Sequence, residues 1–289
     1  MSLVHRPTAE LSPYDDVTIT PTSTGHAIQA FNSAGIDVQI ATAHRYPRSV
    51  AKFLQESEDL VTANPKVAQM CTYAVPRGGK QITGPSVRLA EMLASTWGNL
   101  RVSSMVTGDD GRFVIAQAIC LDLQSNVGIS VEARRRITDR NGKRFDDDMI
   151  GVASNAAISI ALRNGIFRII PKAYVDTIHE AAKAVAAGKV EDLASTRAAW
   201  VAVYTGKGIA ERDLFRALEV KGIEDIGTEQ ILTMQGWQTS IRDGAITLQE
   251  IFAPPAPPAP AVEAKGGTKS ERLAAKIAAQ EPPEVGSDG

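Results

Sequence analysis

The sequence predicts an α+β fold: an antiparallel three-stranded meander flanked by helices, with a small all-helical C-terminal module and a Pro-rich tail. Three observations predict it. Residues 100–140 contain three strand-like stretches, LRVSSMVTG, RFVIAQAICLDLQ and VGISVEARRRITDR, joined by short turn-rich segments. Consecutive strands with short connections pair antiparallel. Helical periodicity brackets them, in PSVRLAEMLASTWGN before and DDDMIGVASNAAISIALRNGIF after. Beyond Pro171 the pattern is helical only, until APPAPPAPAVEAKGG interrupts it.

The elements follow in order. Residues 1–34 begin rich in Pro, Ser, Thr and Asp and are expected to form an N-terminal arm with a short helix. Alternation in IDVQIATAHRYPRS predicts a short strand before Pro47. SVAKFLQESEDLV reads as a helix capped by Ser49, with Val50, Phe53, Leu54 and Val61 at helical spacing. MCTYAVPRGGKQITGPS holds two extended pieces around a PRGGK turn, because proline followed by paired glycines punctuates a chain. Pro85 suits the first position of the next helix. Its buried face is Val87, Leu89, Ala90, Leu93 and Ala94, and Gly98 ends it. The meander turns at GDDG and QSNVG, and Asn141-Gly142 closes a further hairpin. Asp146, Asp147 and Asp148 open a long helix, where carboxylates satisfy free amide donors and complement the dipole. The Ala, Gly and Ser residues of that helix let it lie close to the sheet. EDLASTRAAWVAVY, AERDLFRALEV, TEQILTMQGWQTSIRDG and TLQEIF form the helical module. The stiff linker then carries KSERLAAKIAAQ, a short helix candidate. The expected organisation is an arm at 1–34, an α+β core at 35–188, a helical module at 189–252, and a linker and tail at 253–289.

The net charge of −2 hides an uneven distribution. Residues 77–172 carry 14 basic and 9 acidic side chains, net +5, whereas residues 173–289 are at −5. Six of those basic groups fall between positions 134 and 144. Strand alternation puts Arg134 and Arg136 on one face with Glu132, and Arg135 on the other with Val131 and Ile137. Arg140, Lys143 and Arg144 surround the hairpin tip. Such a cluster needs counter-anions. A phosphate backbone would supply them, with counterion release as the driving force, and so would the neighbouring aspartates of an ordinary charged hairpin. A second cluster, Tyr73, Arg77, Lys80 and Arg88, surrounds the glycine turn, where backbone amides can approach an anion; a plain β-turn is the other reading. PRGGK lacks Walker A spacing, so nucleotide hydrolysis finds no support. Binding of single strands also uses rings. Among Tyr46, Tyr73, Trp97, Phe113, Phe145 and Phe167, Trp97 and Phe145 are placed to face solvent, while Phe113 and Phe167 suit the core.

Other chemistries find little footing. Cys71 and Cys120 sit in apolar company as buried thiols. The four histidines show no ligand spacing, so no metal or other cofactor is expected. Adjacent aspartates on a helix diverge by about 100°, so Asp146 to Asp148 do not converge on one ion. No G-x-S-x-G, paired Cys and His, or H-E-x-x-H occurs, and an enzyme is not expected. The N-terminus has no apolar signal core and no apolar run reaches the roughly 18 residues of a membrane span, so a cytoplasmic protein is expected.

The succession ITGPSVRLAEMLASTWGNL, meander, VEARRRITDRNGKRFDDDMI and SNAAISIALRNGIFRIIPKA resembles phage recombination-associated proteins, and through them the single-strand annealing proteins of the RecT, Redβ and Erf type. The resemblance covers about residues 40–250, without a clean RecT signature. It implies an ATP-independent protein of the bacterial host cytoplasm that coats single-stranded DNA and helps complementary strands pair. It implies a homo-oligomer, ring or filament, and a phage exonuclease or host single-strand-binding protein as partner through the C-terminal region. Carried over residue by residue, the DNA contacts would be Arg77, Lys80, Arg88, Arg134, Arg136, Arg140, Lys143 and Arg144. Arg163, Arg168 and Lys172 would be further candidates; Tyr73 and Trp97 are candidate DNA-binding rings from the sequence, with the choice of stacking ring left open. A non-catalytic assembly or adaptor protein is the alternative, and a metal-dependent nuclease a third.

Overall fold

The computed structural model describes residues 35–77, 80–139, 141–188 and 193–252. The N-terminal arm, the two turn glycines, Arg140 and the Pro-rich tail with its KSERLAAKIAAQ segment lie outside the described residues. The described residues belong to one compact unit.

The first described element corrects an expectation. Residues 35–45 are helical (α1), not a strand. The alternating Val38 and Ile40 lie exposed, and Ala43 is the residue the helix buries. Two polar bonds tie this end of the chain to the sheet: Arg101 donates to Gln39 (3.0 Å) and the Asn99 amide to the Tyr46 carbonyl (3.1 Å). Helix α2 (Val50–Thr62) is capped by Ser49 and buries Phe53 and Val61. A short helix α3 (Pro65–Met70) follows, with Asn64 as cap and Pro65 in its first turn.

Strands β1 (Thr72–Arg77) and β2 (Lys80–Pro85) form an antiparallel hairpin that places Arg77 opposite Lys80. Pro85 ends β2 rather than opening α4 (Val87–Trp97). Ser86 is the cap there: its hydroxyl accepts from Leu89 N–H and donates to the Met70 carbonyl (2.6 Å). Gly98 closes the helix at φ +66°, a conformation that glycine adopts without a Cβ penalty.

The meander is as expected: β3 (Leu100–Asp109), β4 (Phe113–Asp122) and β5 (Val127–Arg136) in that spatial order, all antiparallel. Helix α5 (Asp147–Ile169) lies across all three strands and is capped by Asp146, which accepts from Met149 N–H (2.8 Å). Its buried side is made of Ala153, Ala156, Ala157, Ala161 and Gly165. A Cβ on Gly165 would come within 2.7 Å of the Cys120 sulfur. Small residues are therefore the reason this long helix can lie so close to β4. Among the described residues α5 is also the one helix long and apolar enough to cross a membrane.

Helix α6 (Lys172–Ala187) joins α2, α4 and α5 around a core of Phe53, Leu89, Leu93, Trp97, Ile166, Ile170 and Ile178. The C-terminal helices α7 (Leu193–Thr205), α8 (Glu211–Ala217), α9 (Thr228–Arg242) and α10 (Leu248–Phe252) surround a second core of Tyr204, Leu214, Ile231, Trp237 and Phe252. That second core includes Ala74 of β1. Gly236 lets α9 touch the hairpin backbone, since a Cβ there would meet Ala74 N at 2.8 Å. Ser240 reinforces the contact by accepting from Ala74 N–H (3.2 Å) and donating to Ala74 O (2.8 Å).

Candidate nucleic-acid interface

Because β4 is central, β5 is an edge of the sheet, and its last residues are Arg134, Arg135 and Arg136. Around this edge are the β1–β2 hairpin, residues 159–164 of α5, the end of α9 and the segment between α9 and α10. Between them lies a cleft of about 620 Å³. Arg77, Arg134, Arg135 and Arg163 line it together with Tyr73, Ser159 and Asn164. Its wall is apolar, formed by Val75, Pro76, Ile82, Ile160 and Ile246 among others.

The cations here have few anionic partners. Arg163 sits over the Tyr73 ring, 4.5 Å from its centroid, and its Nε and Nη2 reach only the Asn164 side-chain oxygen at 3.3 Å. Tyr73 stands across the strand from Gly84, and the missing Cβ there lets the ring lie close. Burial pulls the Arg163 guanidinium below its ordinary pKa, with Tyr73 opposing the shift. Arg135 donates to the Ala245 carbonyl at 2.7 Å. Among the described residues neither arginine has a carboxylate within 4 Å. The two acids that line the cleft are engaged. Asp243 is held by Arg88 (3.0 and 3.1 Å), and Glu250 accepts from the backbone and hydroxyl of Thr247 (2.8 and 3.1 Å).

A second cleft of about 370 Å³ lies on the other side of Arg135, lined by Arg136, Thr138, Asp139, Phe145, Met149 and Val152. Arg136 is exposed and lies 5.8 Å from the Phe113 ring centroid. The Asn141-Gly142 segment closes a tight loop rather than extending β5. Its ladder shrinks to a single bridge between Thr138 and Arg144, with Gly142 at φ +85°. Asp139 organises the loop by accepting from Asn141 and Lys143 N–H (2.8 Å each), which leaves the Lys143 side chain exposed.

The expected site residues thus divide. Tyr73, Arg77 and Arg134 meet in the larger cleft, and Arg136 lines the smaller one. Lys80 and Lys143 are exposed and outside any ion pair among the described residues. Arg134 makes two loose pairs, with Glu132 at 3.4 Å and Asp110 at 3.9 Å. Arg144 is engaged by Asp109, and Arg88 by Asp243 and Glu91. Lys172 pairs with Asp176, Arg168 stays exposed in the last turn of α5, and Arg140 lies outside the described residues.

Two rings need correction. Trp97 does not face solvent: it is 6% exposed, edge-on to Phe53 at 4.8 Å. Its indole N–H points to Asp122 (3.4 Å) and Arg48 covers it at 4.0 Å. No base can stack there. Tyr73 likewise already stacks with Arg163, so its ring positions a cation instead of offering a platform. Phe145 is half-buried against the cluster of Val114 and Ile137. Sequence reasoning also missed Arg135, which lines both clefts and whose guanidinium reaches the Ala245 carbonyl. Its position as the next-to-last residue of an edge strand was the available signal.

No family model, curated protein or solved structure matches this chain. The functional reading therefore rests on the side chains themselves.

Proposed function

We propose that this chain binds single-stranded DNA through its phosphates and promotes annealing of complementary strands in phage recombination, inside the bacterial host cytoplasm. It does so without ATP or covalent chemistry. One observation carries the reading: Arg77, Arg134, Arg135 and Arg163 converge on one cleft, where Asp243 is already paired with Arg88 and Glu250 is hydrogen-bonded to Thr247. Exposed Lys80, Arg136 and Lys143 extend positive charge beyond it. Contacts to phosphate position a strand without reading sequence, which suits a protein that must pair any two complements. The three aspartates at the start of α5 serve the helix end, which accounts for them without a metal.

The test is fluorescence quenching with complementary oligonucleotides across salt concentrations. Replacing Arg77, Arg134, Arg136 and Lys143 together by Ala is expected to weaken binding of every sequence. The slope of log affinity against log salt should shrink by about 0.7 per lost phosphate contact. Unchanged affinity and slope would remove the reading.

The assembly or adaptor reading has its own support. On the sheet face turned away from α5, Met105 and Ile119 stand exposed, 56% and 39%. That reading predicts stable oligomers with negligible DNA affinity. Oligomers that bind DNA fit the annealing proposal, in which copies of the chain line a strand as a ring or filament and a phage exonuclease or host single-strand-binding protein joins through residues 253–289.

A further inference from the structure

The larger cleft holds more than a strip of charge. At about 620 Å³ it is in the range of pockets that enclose a small ligand, and far roomier than a lone phosphate requires. Its lining combines the guanidinium groups with apolar side chains, Val75, Pro76 and Ile82 from the hairpin and Ile160 from α5. Arg163 is the distinctive residue: a half-buried guanidinium held over Tyr73, with an amide oxygen as its sole hydrogen-bond acceptor among the described residues. A charge removed from water without a counter-charge is costly, and the free energy is recovered when an anion arrives. Arg135 is fixed by the Ala245 carbonyl at the same cleft, so two anchored donors face one space.

We infer that this cleft is a nucleotide subsite, which takes one phosphate at Arg163 and Arg135 and sets the attached nucleoside against Val75, Pro76, Ile82 and Ile160. The inference rests on the proposed function and deepens it: the strand is gripped at one residue and merely tracked by surface charge elsewhere. The gripped nucleotide leaves the competition for base pairing, while its neighbours stay free to sample a complement.

Fluorescence anisotropy of a labelled oligo(dT) on the full chain tests it. Arg163→Gln should lower affinity about tenfold, the size of one charge-assisted contact, and reduce the salt slope by roughly one phosphate. An oligonucleotide with abasic sugars should bind the wild type more weakly than oligo(dT), because it lacks the group that meets the apolar wall. Thymidine monophosphate should compete at concentrations where inorganic phosphate and thymidine do not. Should Arg163→Gln not fold, as judged by its thermal transition, Arg135→Gln supplies the same readings. If either variant keeps wild-type affinity and slope while the Arg77, Arg134, Arg136 and Lys143 variant loses binding, the subsite is wrong and the DNA reading stands. If the wild type binds no oligonucleotide yet takes the monophosphate in an Arg163-dependent way, the subsite stands for free nucleotides and the DNA reading falls. Binding of neither overturns both.

Discussion

Arg48 and Arg163 occupy matching settings with opposite accounts of charge. Each lies over an aromatic ring, Arg48 at 4.0 Å from Trp97 and Arg163 at 4.5 Å from Tyr73. Arg48 meets Asp122 at 3.0 Å and also donates to the carbonyls of Trp97 and Gly98. Every edge of that guanidinium has a partner, and Asp122 in turn caps the turn after β4 through Gln124 and Ser125 N–H. Arg163 has the ring and no carboxylate. His179 shows a third outcome. Buried on α6 with Thr72 as its hydrogen-bond partner at 2.9 Å, it has its pKa lowered to about 4 by desolvation and by Lys183, so it stays neutral near pH 7. Both arginines stack on a ring; what separates them is the counter-charge.

The largest expected effect breaks the first half of that contrast. Asp122→Ala leaves Arg48 charged, enclosed and without its carboxylate, and should cost about 3–5 kcal/mol in urea unfolding. A loss below 1 kcal/mol would mean that the carbonyls alone suffice.

Acid sharpens the contrast next. The folded pKa of His179 lies below its unfolded value of 6.5, so between pH 6.5 and 4 the unfolded chain binds the extra proton. Stability therefore falls as pH drops through that window, by up to about 3 kcal/mol, and is fully present above it. Asp122 acts lower. Burial raises its pKa, but Arg48 and the amides of Ser125 and Gln124 outweigh that, and its net shift is downward. Its contribution is lost only as pH falls below the ordinary carboxylate range. His179→Gln should flatten the upper window and leave the lower one intact.

Arg163→Met is the counterpart to the first variant and a smaller effect on folding. Removing a half-buried charge without a carboxylate partner should leave stability within about 1 kcal/mol of wild type or raise it, while oligonucleotide affinity falls. Destabilisation comparable to Asp122→Ala would erase the distinction between the two arginines. Least of all, Arg144→Ala breaks an exposed pair with Asp109 and should leave the unfolding midpoint where it is.

What the sequence revealed was local. Ser49, Gly98 and Asp146 were readable as caps because a cap acts within four residues, and the meander was readable because its turns are short. Helix α1 was misread because Val38 and Ile40 alternate like a strand, yet among the described residues both lie exposed on a helix. Helix α3 escaped because six residues cannot display a period, although Asn64-Pro65 carried a start signal. The site was half legible. Arg77 and Arg134 stood out as charge, but Trp97 was misjudged because Arg48, 49 residues away, closes over it. Arg135 was assigned by alternation to the face of Val131 and Ile137, which is correct for its Cβ and says little about where a long side chain ends at an edge strand. Which cations keep free hands depended on distant acids such as Asp243, 155 residues from Arg88.

The seam between Ser240 and Ala74 has a consequence for synthesis. The two residues are 166 positions apart, yet they share two hydrogen bonds. While a ribosome is still making the middle of the chain, the first hairpin has neither α9 behind Ala74 nor Trp237 to hold Gln81, whose side chain accepts from that indole at 3.0 Å. Long-range contacts of this kind form late. The hairpin that bears Arg77 and Lys80 should therefore mature only after α9 has emerged, so a nascent chain stalled before residue 228 would carry the meander without a finished cleft.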